Sequence, residues 1–338
     1  MSGSSGTALR VLGATSVLIL ALTGCGQAGS SRPSAGGQTS PGAGAQAKAC
    51  EPVAGQELVV LEDDRELQTV DNVIPAVNAK AATEPLMSAL DKVSQTLTTD
   101  DLVELNRKVV VERKTSPNVA KEYVEAKGLT EGASGGSGKI VIGAANFAEN
   151  QTLAEIYATV LDAAGFDATT KTLGNRELYL PALQKGTVHV VPEYAGTVTE
   201  FLNKRENGAG AKPLASGDLD PTVEALQGLG NDLGLKFGQP SQAADQNAFA
   251  VTTAFAQEHG VKTLSDLAKA CGGGVTLGGP PECPQRPFCQ PGLQKTYQLT
   301  IDSFRALDAG GPLTKTALRK GEVAVGLVFS SDGELAAT

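Results

Sequence analysis

The sequence predicts an α/β protein with mostly parallel sheets. Three observations carry that expectation. Beyond residue 50, apolar runs of strand length alternate with segments of helical periodicity. The stretches Ile140-Val-Ile-Gly-Ala-Ala-Asn-Phe-Ala-Glu149 and Val191-Pro-Glu-Tyr-Ala-Gly-Thr197 each end an apolar run in a small-residue turn, with an amphipathic helix between them, the pattern of a βαβ unit. Their polar and aromatic residues fall at the carboxyl ends of the predicted strands, where open parallel sheets bind ligands.

The elements follow in order. Residues 1–24 read as a secretion signal. Arg10 is the one charge ahead of the apolar run Val11 to Leu22, which is too short to span a bilayer as a mature helix. The run ends in Leu22-Thr23-Gly24-Cys25, small residues before a cysteine, so Cys25 is the expected lipid anchor. Residues 25–50 consist largely of Gly, Ser, Ala, Gln and Pro and read as a lipid-anchored flexible tether. The expected location is the extracytoplasmic face of the cell membrane.

Segment 57–64 reads as a short buried strand running into an acidic turn. Helical spacing recurs over 82–90 and 100–109, the second with Thr98 and Thr99 as caps before Asp100 and Asp101. A helix over 118–127 closes at Gly128, and 129–138 reads as a flexible linker. Then come strand 139–143 and helix 149–164, with Leu153, Ile156, Tyr157, Val160 and Leu161 on one face. Strand 168–173, a short helix 178–184, strand 187–191 and a helix from Thr197 follow. An acidic loop over 206–222 leads into a helix from Pro221. Segments 247–252 and 274–278 read as strands on either side of a helix over 264–270. Helices near 292–297 and 313–320 and a strand over 324–329 complete the pattern.

Lys and Arg number 28 against 37 Asp and Glu, a net charge of −9; without residues 1–24, which carry only Arg10, it becomes 27 − 37 = −10. Such an acidic chain repels nucleic acid phosphates, so no nucleic acid partner is expected. The two histidines, His189 and His259, form no metal-ligand spacing, and neither metal nor cofactor is expected. No Ser–His–Asp or Cys–His arrangement emerges, so the chain reads as a binding protein and not an enzyme. Besides Cys25 there are four disulfide candidates, Cys50, Cys271, Cys283 and Cys289, which allow three pairings. The strand between Cys271 and Cys283 holds those two too far apart for one bond, which favours Cys283–Cys289 with Cys50–Cys271.

Taken together, the two motifs resemble the OpuAC/ProX-like substrate-binding lipoproteins of glycine betaine, choline and carnitine ABC importers. Leu58-Val-Val-Leu-Glu-Asp-Asp-Arg65, Thr99-Asp-Asp-Leu-Val-Glu-Leu-Asn106, Val119-Ala-Lys-Glu-Tyr123 and Gly326-Leu-Val-Phe-Ser-Ser-Asp-Gly333 extend the likeness. The resemblance implies a two-lobe fold of the periplasmic-binding-protein kind (type II) with a hinge. In that family the Asn-Phe strand opens the mature protein and the Leu-Glu-Asp-Asp block comes last. Here the order is reversed, which implies a circular permutation joined through 129–138. One lobe would then comprise 51–68 with 247–338, the other 69–128 with 139–246. The implied partners are a small quaternary-amine ligand and an ABC permease with its ATPase, served by a monomer. Rival readings are a sensor for another small metabolite and an extracytoplasmic α/β enzyme.

A quaternary ammonium donates no hydrogen bond, so aromatic faces hold it, at about 0.5–2 kcal/mol per ring. A carboxylate on the same ligand wants donors, best supplied by Arg. The resemblance places Tyr194 in an aromatic cage and gives Thr197 a carboxylate-binding hydroxyl. Phe249, in Asn-Ala-Phe-Ala-Val, and Phe329, in Val-Phe-Ser-Ser-Asp, stand at cage tyrosine positions, and Arg286, in Pro-Gln-Arg-Pro-Phe, aligns with the carboxylate-binding arginine. Asn146 and Phe147 belong to the first motif. Two positions depart from the pattern. Ala145 replaces a basic residue, and Asp71 replaces a cage tyrosine, where it would pair with a cationic head or cap a turn before Pro75. Arg176 is read either as reaching the cleft or as a surface ion pair.

Overall fold

The computed structural model describes residues 48–335. The predicted signal, the Cys25 anchor and nearly all of the tether lie outside the described residues.

Two five-stranded sheets organise the chain, and each has helices packed against it. The strands are β1 Leu58–Leu61, β2 Val73–Asn78, β3 Lys139–Ala145, β4 Asp167–Gly174, β5 Val190–Tyr194, β6 Leu235–Phe237, β7 Asn247–Thr252, β8 Val275–Gly279, β9 Ile301–Ala306 and β10 Val325–Phe329. The first sheet runs β4-β3-β5-β2-β6 and the second β1-β7-β10-β8-β9.

The α/β expectation holds, but the sheets are mixed instead of mostly parallel. β3 lies parallel to β4 and β5, and β8 parallel to β9 and β10. β2 is antiparallel to β5 and β6, and β7 antiparallel to β1 and β10. β2 escaped prediction because Pro75 argues against a central strand. Pro75 sits directly opposite Pro192, so both missing donors fall on one rung, and its carbonyl accepts from the Gly238 N–H at 3.0 Å.

Helices α1 Glu84–Thr96, α2 Thr99–Asn106, α3 Ser116–Ala126 and α4 Ala148–Ala163 share a core with β2, β3 and β5. The five apolar residues read onto one face of α4 are all buried there. A reciprocal capping box fixes the start of α2: Thr98 Oγ1 accepts from the Asp101 N–H at 3.3 Å, and Asp101 returns the bond to the Thr98 N–H at 3.1 Å. The opposite face of the sheet packs on α5 Arg176–Gln184, α6 Ala195–Asn207 and α7 Leu219–Asp232. The second sheet encloses Phe249, Val251, Leu277 and Leu327 with Phe255 of α8 Thr253–His259 and Leu267 of α9 Leu264–Ala270.

Segment 129–138 has no regular structure but is tied down. Leu129 is buried, Lys92 Nζ donates to the Gly128 and Glu131 carbonyls, and the Gly136 N–H donates to Ala164 O at 2.8 Å. A Cβ at Gly136 would come within 2.5 Å of the Phe166 ring, so glycine is required for this close approach. Disulfides join Cys50 to Cys271 and Cys283 to Cys289.

The chain passes between the sheets on two strands that run side by side. Asn72 bridges Ala244 in antiparallel fashion, the Val73 N–H donates to Ala243 O at 2.9 Å, and the Asp245 N–H donates to Asp71 O at 3.0 Å. This pairing places two carboxyl side chains next to each other where the sheets meet.

Candidate functional site

A cavity of about 490 Å³ lies where the ends of both sheets face each other. Its geometry begins with Asn150. The Asn150 Oδ1 accepts from the Ala145 N–H at 2.7 Å and its Nδ2 donates to Pro192 O at 2.9 Å, which locks the ends of β3 and β5 together. Phe147, just past the end of β3, and Tyr194, the last residue of β5, therefore emerge side by side, with ring centroids 6.2 Å apart. Phe329 arrives from the end of β10 in the other sheet and lies 5.4 Å from Phe147. Three rings from two sheets thus converge on one space.

Tyr194 is held from behind. Its hydroxyl donates to Glu149 Oε1 at 2.7 Å, while Asn106 Nδ2 and Ser331 Oγ donate to Glu149 Oε2 at 2.6 and 2.5 Å. Ser331 also donates its N–H to Asp245 Oδ1 at 3.1 Å. Burial pushes the Glu149 carboxyl up; burial, and then the neighbouring Glu149, push Asp245 well up. Burial followed by Glu149 likewise keeps the Tyr194 phenol protonated.

Asp71 lines the cavity wall, and its Oδ1 accepts from the Thr197 N–H at 2.9 Å. Burial pushes its carboxyl up to about 7, against the pull of the Thr197 bond. Thr197 Oγ1 accepts from Arg176 Nη2 at 3.0 Å. Arg176 is not on the surface: its Nε and Nη2 donate a buried pair of hydrogen bonds to the Glu193 carboxylate, to which Tyr179 also donates at 2.9 Å. Burial works against the Arg176 charge, but Glu193 overrides it and holds the guanidinium firmly protonated. That positive charge is already matched before any ligand arrives.

Arg286 follows a short turn, Cys283–Gln285, inside the Cys283–Cys289 loop. Its Nη2 donates to Glu177 Oε2 at 2.8 Å, and its guanidinium sits 5.2 Å from the Phe201 ring centroid. Its Nε is buried and has no hydrogen-bond partner among the described residues. Burial, then Arg176, pull its pKa down from the usual arginine value. Such a group has a donor to offer an incoming anion.

Of the residues singled out from sequence, Asp71, Asn146, Phe147, Tyr194, Thr197, Arg286 and Phe329 line this cavity. Phe249 does not. It is 1 % exposed and packs in the core of the second sheet, opposite Leu61 and Leu327. Its strand offers Asn247 to the cavity instead. The two share a face by alternation, but Phe249 lies two residues deeper along the strand. Cavity residues missed in the sequence include Phe201, Phe288 and Asp245. Phe201 lies four residues beyond Thr197 on α6, a spacing that would have revealed it.

A model of the family described as the substrate binding domain of the ABC-type glycine betaine transport system matches residues 52–126 and 138–338. The chain belongs to this family. Among curated proteins it is 28% identical over 204 residues to the glycine-betaine-binding protein of Pseudomonas aeruginosa, a match that covers 57% of this chain and 62% of that protein. The chain therefore spans less than two thirds of that relative's length. A crystal structure of a glycine betaine/carnitine/choline ABC transporter aligns with 59% of this chain and 70% of its own at 25% identity, with a TM-score of 0.37. Within this family, then, the aromatic cluster and the arginine loop form the candidate substrate site.

Proposed function

We propose that this protein is the extracytoplasmic solute receptor of an ABC importer for glycine betaine or a related quaternary amine. The observation that carries the reading is the convergence of Phe147, Tyr194 and Phe329 on one cavity, with Arg286 on another part of its wall. Ring faces stabilise a diffuse cation that has no hydrogens to donate. Arginine suits a carboxylate at the other end of the same molecule. Binding would draw the two sheet units together through the paired strands at Asn72 and Ala244, since a ligand shifts shape only by its differential affinity for the closed state.

The receptor does no chemistry on its ligand and passes it to a membrane permease driven by an ATPase. Cys25 would tether a monomer to the membrane; among the described residues no helix is long and apolar enough to cross one. The lobes would be 51–68 with 247–338 and 69–128 with 139–246. The chain order would be a circular permutation of the family's. In support, the family match breaks between 126 and 138, and the Gly55 N–H donates to Arg319 O at 3.1 Å, which places the beginning of the second unit against its last helix. The test is a thermal-shift screen against betaines, choline, carnitine and unrelated metabolites. Stabilisation by quaternary amines alone is the expected result; stabilisation only by compounds outside that class would refute it.

A further inference from the structure

Asp71 and Asp245 both stand on the cavity wall. Each is 4 % exposed, and neither forms an ion pair among the described residues. Backbone pairing through the Asp245 N–H and Asp71 O keeps them adjacent. Among the described residues the Asp71 carboxyl takes its hydrogen bonds from Thr197, whose N–H donates to Oδ1 at 2.9 Å. Burial without a paired charge disfavours the ionised carboxylate, so such a group keeps its proton until a positive charge arrives.

The surroundings supply little net charge. From α5 and β5, Arg176 draws the Asp71 carboxyl down, but its guanidinium is bonded to Glu193, whose charge pushes the other way. From α4, Glu149 adds a second carboxyl beside Asp245. Arg286 is engaged by Glu177, and Glu282 on the same loop is acidic. Lys204 and Arg205 line the cavity from α6 farther along than Thr197, and neither pairs with Asp71 or Asp245. Tyr179 and Tyr194 keep their protons. The upward shift of Asp71 to about 7, caused first by burial, agrees with this geometry.

We infer that a cationic ligand entering this cavity replaces a proton: Asp71 is neutral in the empty site and ionises as the ligand's positive nitrogen settles beside Phe147, Tyr194 and Phe329. The inference rests on the reading of the cavity as a site for an organic ammonium. The balance is simple. The Asp71 O–H bond breaks, its electron pair stays on the carboxylate, the proton passes to solvent, and the ligand's fixed charge takes its place. Binding that releases a proton strengthens as pH rises toward the carboxyl's empty-site value and levels off above it.

The test is calorimetric titration of choline chloride into the full chain at pH 6, 7 and 8, in pairs of buffers with different ionisation heats. The native protein should release a measurable fraction of a proton at pH 7 and bind about tenfold more tightly at pH 8 than at pH 6. Asp71→Asn should release none and show a flat profile. Choline binding with no proton release and no pH dependence overturns the inference while leaving the proposed function standing. Proton release that persists in Asp71→Asn overturns the assignment to Asp71. Failure of every quaternary amine to bind the native protein overturns both. A readout without a variant is the carbon NMR titration of the Asp71 carboxyl in the empty protein, expected to have a midpoint near 7 that falls when choline is added; a midpoint in the ordinary aspartate range overturns the inference.

Discussion

Arg286 reaches across the cavity to Glu177, Nη2 to Oε2 at 2.8 Å, joining a disulfide-closed loop of the second sheet unit to the start of α5 in the first. In the empty protein this ion pair occupies the arginine that a ligand carboxylate would use. Glu177→Gln should therefore strengthen glycine betaine binding by up to about fivefold, the range of one partly exposed ion pair, and leave choline nearly unchanged. Arg286→Ala should weaken glycine betaine more than choline. Calorimetry with both ligands decides; equal effects on the two would remove the carboxylate from this arginine.

Phe249 and Phe329 separate packing from recognition. Phe249→Ala empties a fully enclosed core position and should cost about 3–5 kcal/mol in urea unfolding. Phe329→Ala removes a half-exposed ring next to Phe147 and should lower choline affinity about fivefold or more, with a smaller loss of stability. The reverse pattern would show that the cavity wall has been misassigned.

The buried carboxyls give stability an unusual pH dependence. Asp71 has a higher pKa in the fold than the ordinary aspartate value, so it binds more protons folded than unfolded. Its contribution is fully present below about pH 4 and is lost as pH climbs to about 7. Linkage makes that loss on the order of 4 kcal/mol. The ligand-free Asp71→Asn protein should gain stability relative to the native chain as pH rises from about 4 to about 7. Urea midpoints that track each other across that window would contradict this.

The two disulfides should behave differently. Cys50–Cys271 closes a separation of 221 residues and its removal should cost about 2–5 kcal/mol. Cys283–Cys289 closes a separation of only 6, so its removal should cost less stability. That short loop carries Arg286 and Phe288 on the cavity wall, so replacing both cysteines with serine should weaken glycine betaine binding more than it lowers the melting temperature. Unchanged affinity in a well-folded variant would show that the loop holds its shape unaided.

Much of this arrangement was legible because its signals are local. The words around Asn146-Phe147 and Glu193-Tyr194 mark strand ends directly, and α4 shows its buried stripe at helical spacing. What escaped depends on partners far away in the chain. β2 contains a proline that only makes sense opposite Pro192. β9 is an edge strand with four of its six residues exposed, so it has no apolar alternation to read. Asp71 meets Thr197 across 126 positions, and Asp245 meets Ser331 across 86. Phe249 has the right residue type on the right strand, but depth along a strand is not written in alternation.

The central claim is that ring faces supplied by both sheet units hold a small organic cation in the space between them. The most direct measurement is titration of choline and glycine betaine into the native protein and into Tyr194→Ala. The account predicts one ligand per chain and a loss of tenfold or more in the variant, about 1.4 kcal/mol. Equal affinity in the two proteins, or no binding of any quaternary amine by the native chain, would contradict it.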